Sequence, residues 1–319
     1  MVHFPSPSGS FVREVSVFSG VWSYGARSVS RAKSASGAVP PTGLVLLAVV
    51  CFQLGAAIAK GLFDAAGPAG TVLLRVGFAA LILLLMWRPR LGGYAIRDYG
   101  LAVVFGLTLA GMNLAFYSAL DRIPLGVAVT LEFTGPLGVA VLGSRRLLDL
   151  LWAGLAATGI LLLAPVGVFG GAGLDPVGVG LALLAGVLWG SYIILSARTG
   201  SVFPGGTGLA IAMCVGAVAL MPVGISQAGD ALLDPKVLLV GFGVALLSSA
   251  IPYSLEMEAL RKLPTRVFGV LMSLEPAVAA LVGFVVLGEL LEPRAILAVF
   301  LVTIAAVGAS RFGGRNPTD

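Results

Sequence analysis

The stretch ALDRIPLGVAVTLEFTGPLGVAVLG, residues 119–143, returns 140 positions later as ALRKLPTRVFGVLMSLEPAVAALVG, residues 259–283. Ala119, Leu120, Pro124, Val127, Leu131, Pro136, Ala140 and Gly143 match Ala259, Leu260, Pro264, Val267, Leu271, Pro276, Ala280 and Gly283, eight identities in 25 positions. Apolar segments match by chance, so the weight falls on the prolines and on the charged seam that opens each copy. Asp121-Arg122-Ile123-Pro124 mirrors Arg261-Lys262-Leu263-Pro264. Each seam is followed by about 20 apolar residues, the length that crosses the hydrocarbon core of a bilayer. Each apolar stretch also carries one carboxylate, Glu132 or Glu275.

The rest of the chain is built the same way. Of its 319 residues 58% are hydrophobic and 11% charged, where a soluble domain carries roughly 25% charged residues. Mean hydropathy is +1.03. The 44 glycines suit helices that approach closely in lipid. The net charge of +5 is spread over short loops rather than gathered on one face, which argues against a nucleic-acid partner. Cys51 and Cys214 both fall in apolar spans, so two buried thiols are expected and no disulfide framework. His3 is the single histidine, which leaves no histidine-based metal site or catalytic triad. No phosphate-cradling loop is present, so neither a cofactor nor a metal is expected.

Ten spans are read at 43–61, 68–87, 98–119, 123–143, 147–165, 176–197, 206–226, 235–260, 265–288 and 293–311. Breakers or charges mark their seams, among them Gly67-Pro68, Arg145-Arg146, Asp175-Pro176 and Glu292-Pro293. Residues 1–40, rich in serine and basic residues, read as a disordered cytoplasmic tail, and 312–319 as a second, short one. With both termini inside, the cytoplasmic side holds 15 Lys and Arg and the opposite side four: Lys60, Arg122, Lys236 and Arg294. That asymmetry follows the positive-inside rule and depends on the span number being even. The repeat relates the fourth span to the ninth, an odd step, so its two copies cross in opposite directions. The expected fold is all-α and integral to the membrane, ten helices in two inverted five-helix units at 41–165 and 176–311. Inverted repeats of this kind characterise secondary transporters, with the substrate site near the midplane between the halves.

Four segments carry a family resemblance: Leu131-Glu132-Phe133-Thr134-Gly135-Pro136-Leu137, Ser249-Ala250-Ile251-Pro252-Tyr253-Ser254-Leu255-Glu256-Met257, Leu263-Pro264-Thr265-Arg266 and Ser273-Leu274-Glu275-Pro276-Ala277. In these the chain resembles the drug/metabolite transporter superfamily in its EamA branch, most of all the RhtA-type threonine/homoserine exporters, over roughly residues 40–311. The resemblance implies ten helices in two inverted repeats, a bacterial inner-membrane location, and export of small amino acids. Other EamA-type proteins move drugs and other metabolites, so that alternative stays open.

Charged residues inside a span cost about 2.5–3.5 kcal/mol each on insertion scales and so call for a reason. Glu132 lies near the midplane of its span, and Pro136, four residues on, cannot donate to its carbonyl. It reads as a site for a substrate amine or a proton, against a protonated carboxyl bonded between helices. Glu275, beside Pro276, reaches similar depth and divides between proton coupling and structure. Ser249, Tyr253 and Glu256 recur at i, i+4, i+7 on one helical face beside Pro252, which frees the carbonyl of Ser248. That stripe suits a cavity lining, though Glu256 is also placed to pair with Arg261 or Lys262, and Glu258 to snorkel to the surface. Asn113 and Tyr117 share a face of the third span, Trp189 and Tyr192 a face of the sixth, and Gln53 lies in the first. For each, ligand contact competes with helix packing. Arg75 is read as a snorkelling or structurally paired residue, with attraction of a substrate carboxylate as the alternative.

These readings converge on proton-coupled export by alternating access, by a monomer or homodimer. The partners are a small-molecule substrate, protons and the lipid bilayer. An enzyme is excluded: every Asp sits at a seam or tail, and no intramembrane His is available as a base. A channel or a scramblase is the remaining competing class.

Overall fold

The computed structural model describes residues 40–89, 92–142, 147–162, 174–204, 206–260, 262–263, 268 and 271–312, and all regular structure among them is helical. The elements are α1 (Pro41–Lys60), α2 (Phe63–Trp87), α3 (Ile96–Leu120), α4 (Leu125–Glu132), α5 (Thr134–Leu142) and α6 (Leu147–Leu162). They continue with α7 (Pro176–Val202), α8 (Thr207–Ala228), α9 (Pro235–Ala245), α10 (Ile251–Leu260), α11 (Glu275–Leu287) and α12 (Pro293–Phe312). Helices α1, α2, α3, α7 and α8 are long and apolar enough to cross a membrane, and the described remainder forms five shorter apolar helical segments. The N-terminal tail and most of the segment between α6 and α7 lie outside the described residues.

Prolines open several helices at a position where a missing N–H costs nothing. Pro176 and Pro235 each follow an Asp that caps the new helix. Asp175 Oδ1 accepts from the Val177 and Gly178 amides at 2.7 and 3.2 Å, and Asp234 Oδ1 accepts from the Lys236 amide at 2.8 Å. The other oxygen of Asp175 takes a hydrogen bond from Arg122 at 3.0 Å, which together with the amides holds its carboxyl below the usual range.

Three spans are not the continuous helices that the sequence predicts. The fourth is broken at Phe133 into α4 and α5, because Pro136 offers no amide to the carbonyl of Glu132. The eighth contains a wide π-turn at Leu246–Ala250, immediately ahead of Pro252. In the ninth, the described helix α11 begins only at Glu275. Pro276 sits in its first turn, just past a turn at Ser273-Leu274 that follows the helical residues Leu271 and Met272. A fourth break falls at Gly67-Pro68, which the sequence reads as a seam. Gly67 takes φ 67°, ψ 168° inside α2, a conformation suited to glycine. The exposed amide of Ala69 just beyond it is capped by Gln227 Oε1 of α8 at 2.6 Å.

The helices pack across the two halves of the chain. α2 and α3 lie on α8, α3 on α7, α1 on α10 and α11, and α4 on α11. α4, the first half of the fourth span, thus meets α11, the second half of the ninth, with Gly126 against the backbone of Ala280. α5 crosses α7 closely enough that a Cβ on Gly135 would occupy the space of the Gly186 carbonyl. Gly186 and Gly190 are the small-residue pair that permits this crossing. Large apolar side chains such as Leu85, Phe284, Val285 and Phe300 point outward, away from the core.

Contacts gather the loops into two groups. Lys60, at the end of α1, bonds Glu289 after α11 at 2.7 Å, and Glu289 also accepts from the Leu125 amide that opens α4 at 2.7 Å. The Arg122–Asp175 pair and the Gln227–Ala69 cap join the same set of loops. Away from them, Tyr94 and Tyr99 pack on Phe203. Leu44 and Val45 pack with Phe268 and Ala259.

Two expectations follow from this packing. Gly135→Val will abolish accumulation of folded protein, whereas Gly138→Ala, with nothing within 4 Å of the new Cβ, will be neutral or stabilising. Thermal melting of the purified variants checks this, and a Gly135→Val protein as stable as wild type contradicts the crossing. Glu289→Ala will cost about 1 kcal/mol more than Lys60→Ala, because it also strips the cap from α4. Equal losses in denaturation of the two single variants would show that the Leu125 bond contributes nothing.

Candidate functional site

The site begins with a guanidinium in an apolar helix. Arg75 of α2 is only 6% exposed, so it does not snorkel. Its Nη1 donates to the Tyr117 hydroxyl of α3 at 3.0 Å, and its Nη2 to the Ser248 carbonyl in the π-turn at 3.4 Å. That carbonyl is the one Pro252 leaves without an amide partner. The rings of Phe52 and Tyr117 lie 5.2 and 5.4 Å from the guanidinium carbon, close enough for cation–π attraction. Among the described residues no carboxylate comes within ion-pair distance of Arg75.

Glu132 ends α4 at the Phe133 break and is 8% exposed. Its carbonyl faces Gly186 of α7, and Thr134 Oγ1 donates to the Leu131 carbonyl at 2.7 Å across the same break. Its carboxyl lies within range of the Arg75 charge. Glu275, at the start of α11, is 5% exposed and lies within range of the charges of Glu132 and Glu256. Neither Glu132 nor Glu275 makes a hydrogen bond to a described residue. Helices α2, α4, α10 and α11 thus bring one cation and three carboxylates into one neighbourhood inside the apolar bundle. The two halves of the chain both contribute.

The other predicted site residues divide. Tyr117 is fully buried and belongs to the Arg75 cluster. Asn113 is buried but donates Nδ2 to the Leu109 carbonyl of its own helix at 2.9 Å, a local bond rather than a reach toward the acids. Trp189 meets Phe133 edge-on at 5.5 Å, beside the α4–α5 break. Tyr192 turns elsewhere, packing on Phe105 at 5.2 Å, so the expected aromatic wall splits in two. Gln53 is 1% exposed, and its Oε1 has no hydrogen-bond partner, like Oγ of Ser248. Ser249 is buried within the π-turn, which disturbs the regular i, i+4, i+7 stripe assumed for Ser249, Tyr253 and Glu256. The side chain of Tyr253 lies outside the described residues. Glu256 does not take Lys262, which pairs with Glu258 at 2.8 Å one helical turn away. Among the described residues no group of His, Cys, Asp and Glu is arranged to hold a metal ion.

The sequence favours a snorkelling or structural role for Arg75, with a substrate carboxylate as the alternative, and does not point to Glu289. Arg75 was visible as a charge within a span, and the Ser248 carbonyl as a consequence of Pro252. Their meeting across 173 positions was not.

The model of the EamA-like transporter family matches residues 176–311. Over 277 residues the chain is 42% identical to the threonine/homoserine exporter RhtA of Salmonella typhimurium (strain LT2), covering 87% of this chain and 93% of that protein. It is likewise 42% identical over 270 residues to the threonine/homoserine exporter RhtA of Escherichia coli (strain K12), covering 85% and 91%. Spanning nearly the full length of those exporters, the chain belongs to the EamA-like transporter family.

Proposed function

We propose that the protein is an inner-membrane secondary transporter that exports small amino acids of the threonine/homoserine kind by alternating access, driven by protons. The observation that carries this reading is the convergence of buried Arg75, Glu132 and Glu275, with half-buried Glu256 beside them, from both halves of the chain. Buried charges without full pairing are expensive, and in membrane proteins they mark substrate and proton paths. The exporter names of its relatives support the choice of substrate. A zwitterion needs an acceptor for its ammonium group, and Glu132 or Glu275 at a helix break supplies one. A carboxyl group withdrawn from water can also take up and release a proton as its surroundings alternate between the two sides.

In this reading the ten apolar segments form two inverted units, 41–165 and 176–311. Both termini lie in the cytoplasm, as the 15-to-four distribution of Lys and Arg supports. The packing of α4, from the fourth span, on α11, from the ninth, supports two units that share an axis. The breaks at Phe133 and at the π-turn make the fourth and eighth spans discontinuous helices, the kind of element that lines ligand sites in other transporters.

Counterflow in proteoliposomes tests the proposal. Labelled threonine or homoserine will exchange against an amino-acid panel, with rates that change between two pH values and fall when a protonophore collapses the gradient in net export. Exchange of a cationic dye in place of amino acids would assign the protein to drug efflux. Glu132→Gln will abolish export while the protein still reaches the membrane in normal amount. Wild-type efflux from that variant removes Glu132 from the mechanism.

A further inference from the structure

Arg75 is a buried cation whose partners among the described residues do not neutralise it. Of its five N–H donors one reaches the Tyr117 hydroxyl and one, at a long 3.4 Å, the Ser248 carbonyl. Two aromatic faces support the plane of the guanidinium. All of these partners are neutral. In an apolar interior a guanidinium ordinarily finds a carboxylate or phosphate, which matches its fork with two parallel bonds. Glu132 is near enough to feel its charge and still outside ion-pair distance.

A second observation points to a polar ligand at the same place. Ser248, whose carbonyl meets Arg75, has a fully buried hydroxyl with no partner. It faces Gly55 of α1, where a Cβ would collide with that hydroxyl, so the helix leaves room for it. On the same helix Gln53, next to Phe52 beneath the guanidinium, carries a buried amide oxygen that is also without a partner.

We infer that Arg75 anchors the carboxylate of a zwitterionic substrate, with the Tyr117 hydroxyl and the opened turn at Ser248 fixing the angle of the guanidinium. This rests on the amino-acid reading above and deepens it. Glu132, at a distance too great to pair directly with Arg75, takes the ammonium end. A bound amino acid inserts its own pair of opposite charges between the two and so completes both pairings at once. Compounds lacking the carboxylate leave Arg75 unpaired and bind poorly. Arg75 thereby sets specificity for the α-carboxylate, whatever the side chain.

The test compares L-threonine with L-threoninamide, which keeps the ammonium and hydroxyl but lacks the carboxylate. Each competes for labelled substrate in counterflow and in binding to the purified full chain. Wild type will prefer threonine by at least about tenfold, the usual discrimination of a charge-assisted bond. Arg75→Gln will bring the two ligands to equal, weak affinity, and Arg75→Lys, which keeps the charge but loses the fork, will fall between. An unchanged threonine-to-threoninamide ratio in either variant overturns the assignment. Should Arg75→Gln not fold, Arg75→Lys and the wild-type ratio decide, and a wild type that treats acid and amide alike overturns it too. If threonine is not bound at all, the proposed substrate falls, and the same acid/amide ratio for other amino acids judges Arg75 independently. An Arg75-dependent preference for the acid upholds the anchor, and none for any pair overturns it.

Discussion

A guanidinium held inside an apolar helix bundle is the constraint on which the rest of this structure turns. Arg75 sits on α2 with no ion pair among the described residues, and the bundle brings neutral polar groups to it. One is the Tyr117 hydroxyl, and another is a carbonyl released from its own helix by Pro252. Neither is free in an ideal bundle. The first requires α3 to present a buried tyrosine at one depth, and the second requires α9 and α10 to be joined by a π-turn. Gly55 of α1 in turn makes space for that turn. With an amide in place of Pro252, a regular α-helix here would keep the Ser248 carbonyl within its own ladder and leave the cation without it.

The acidic side is organised by the same device. Glu132 stands at the end of α4 where Pro136 interrupts the ladder, and Glu275 stands at the start of α11 where Pro276 takes the first turn. Helix breaks at membrane depth are tolerated only where protein or water satisfies the exposed backbone. Here the α4–α5 break is closed by Gly186 and Gly190 of α7 and by the Thr134 hydroxyl. The carboxylates therefore occupy the places where helices are least able to satisfy themselves. These are also places where a change of conformation disrupts few hydrogen bonds. Farther out, Glu289 ties α1, α11 and α4 together through Lys60 and the Leu125 amide, so both halves of the chain are joined at that end.

Much of this was legible in the sequence because the bilayer imposes a length and a polarity on every segment. Span positions, the proline breaks near 132 and 252, and the presence of intramembrane acids follow from spacing alone. Pro252 even identifies which carbonyl is released. Azimuth was not legible. A span gives the depth of Arg75 but not the side of the helix it faces, and a long side chain can snorkel as readily as turn inward. Long-range partners were equally hidden. Gln227 capping Ala69 and Glu289 capping Leu125 join residues 158 and 164 positions apart. Pro276 follows the same logic as the proline breaks, standing in the first turn of α11 just past the turn at Ser273-Leu274. The split of Trp189 from Tyr192 came from their neighbours, Phe133 and Phe105, which no periodicity reveals.

At the centre of the mechanism, the Arg75 guanidinium and a buried acid bracket a zwitterion between them. A structure of the protein in lipid nanodiscs at saturating threonine addresses this most directly. Ligand density is expected between the halves, its carboxylate on the Arg75 guanidinium and its ammonium toward Glu132 or Glu275. An ion pair formed directly between Arg75 and Glu132, with dry side-chain packing in place of the ligand, would contradict it.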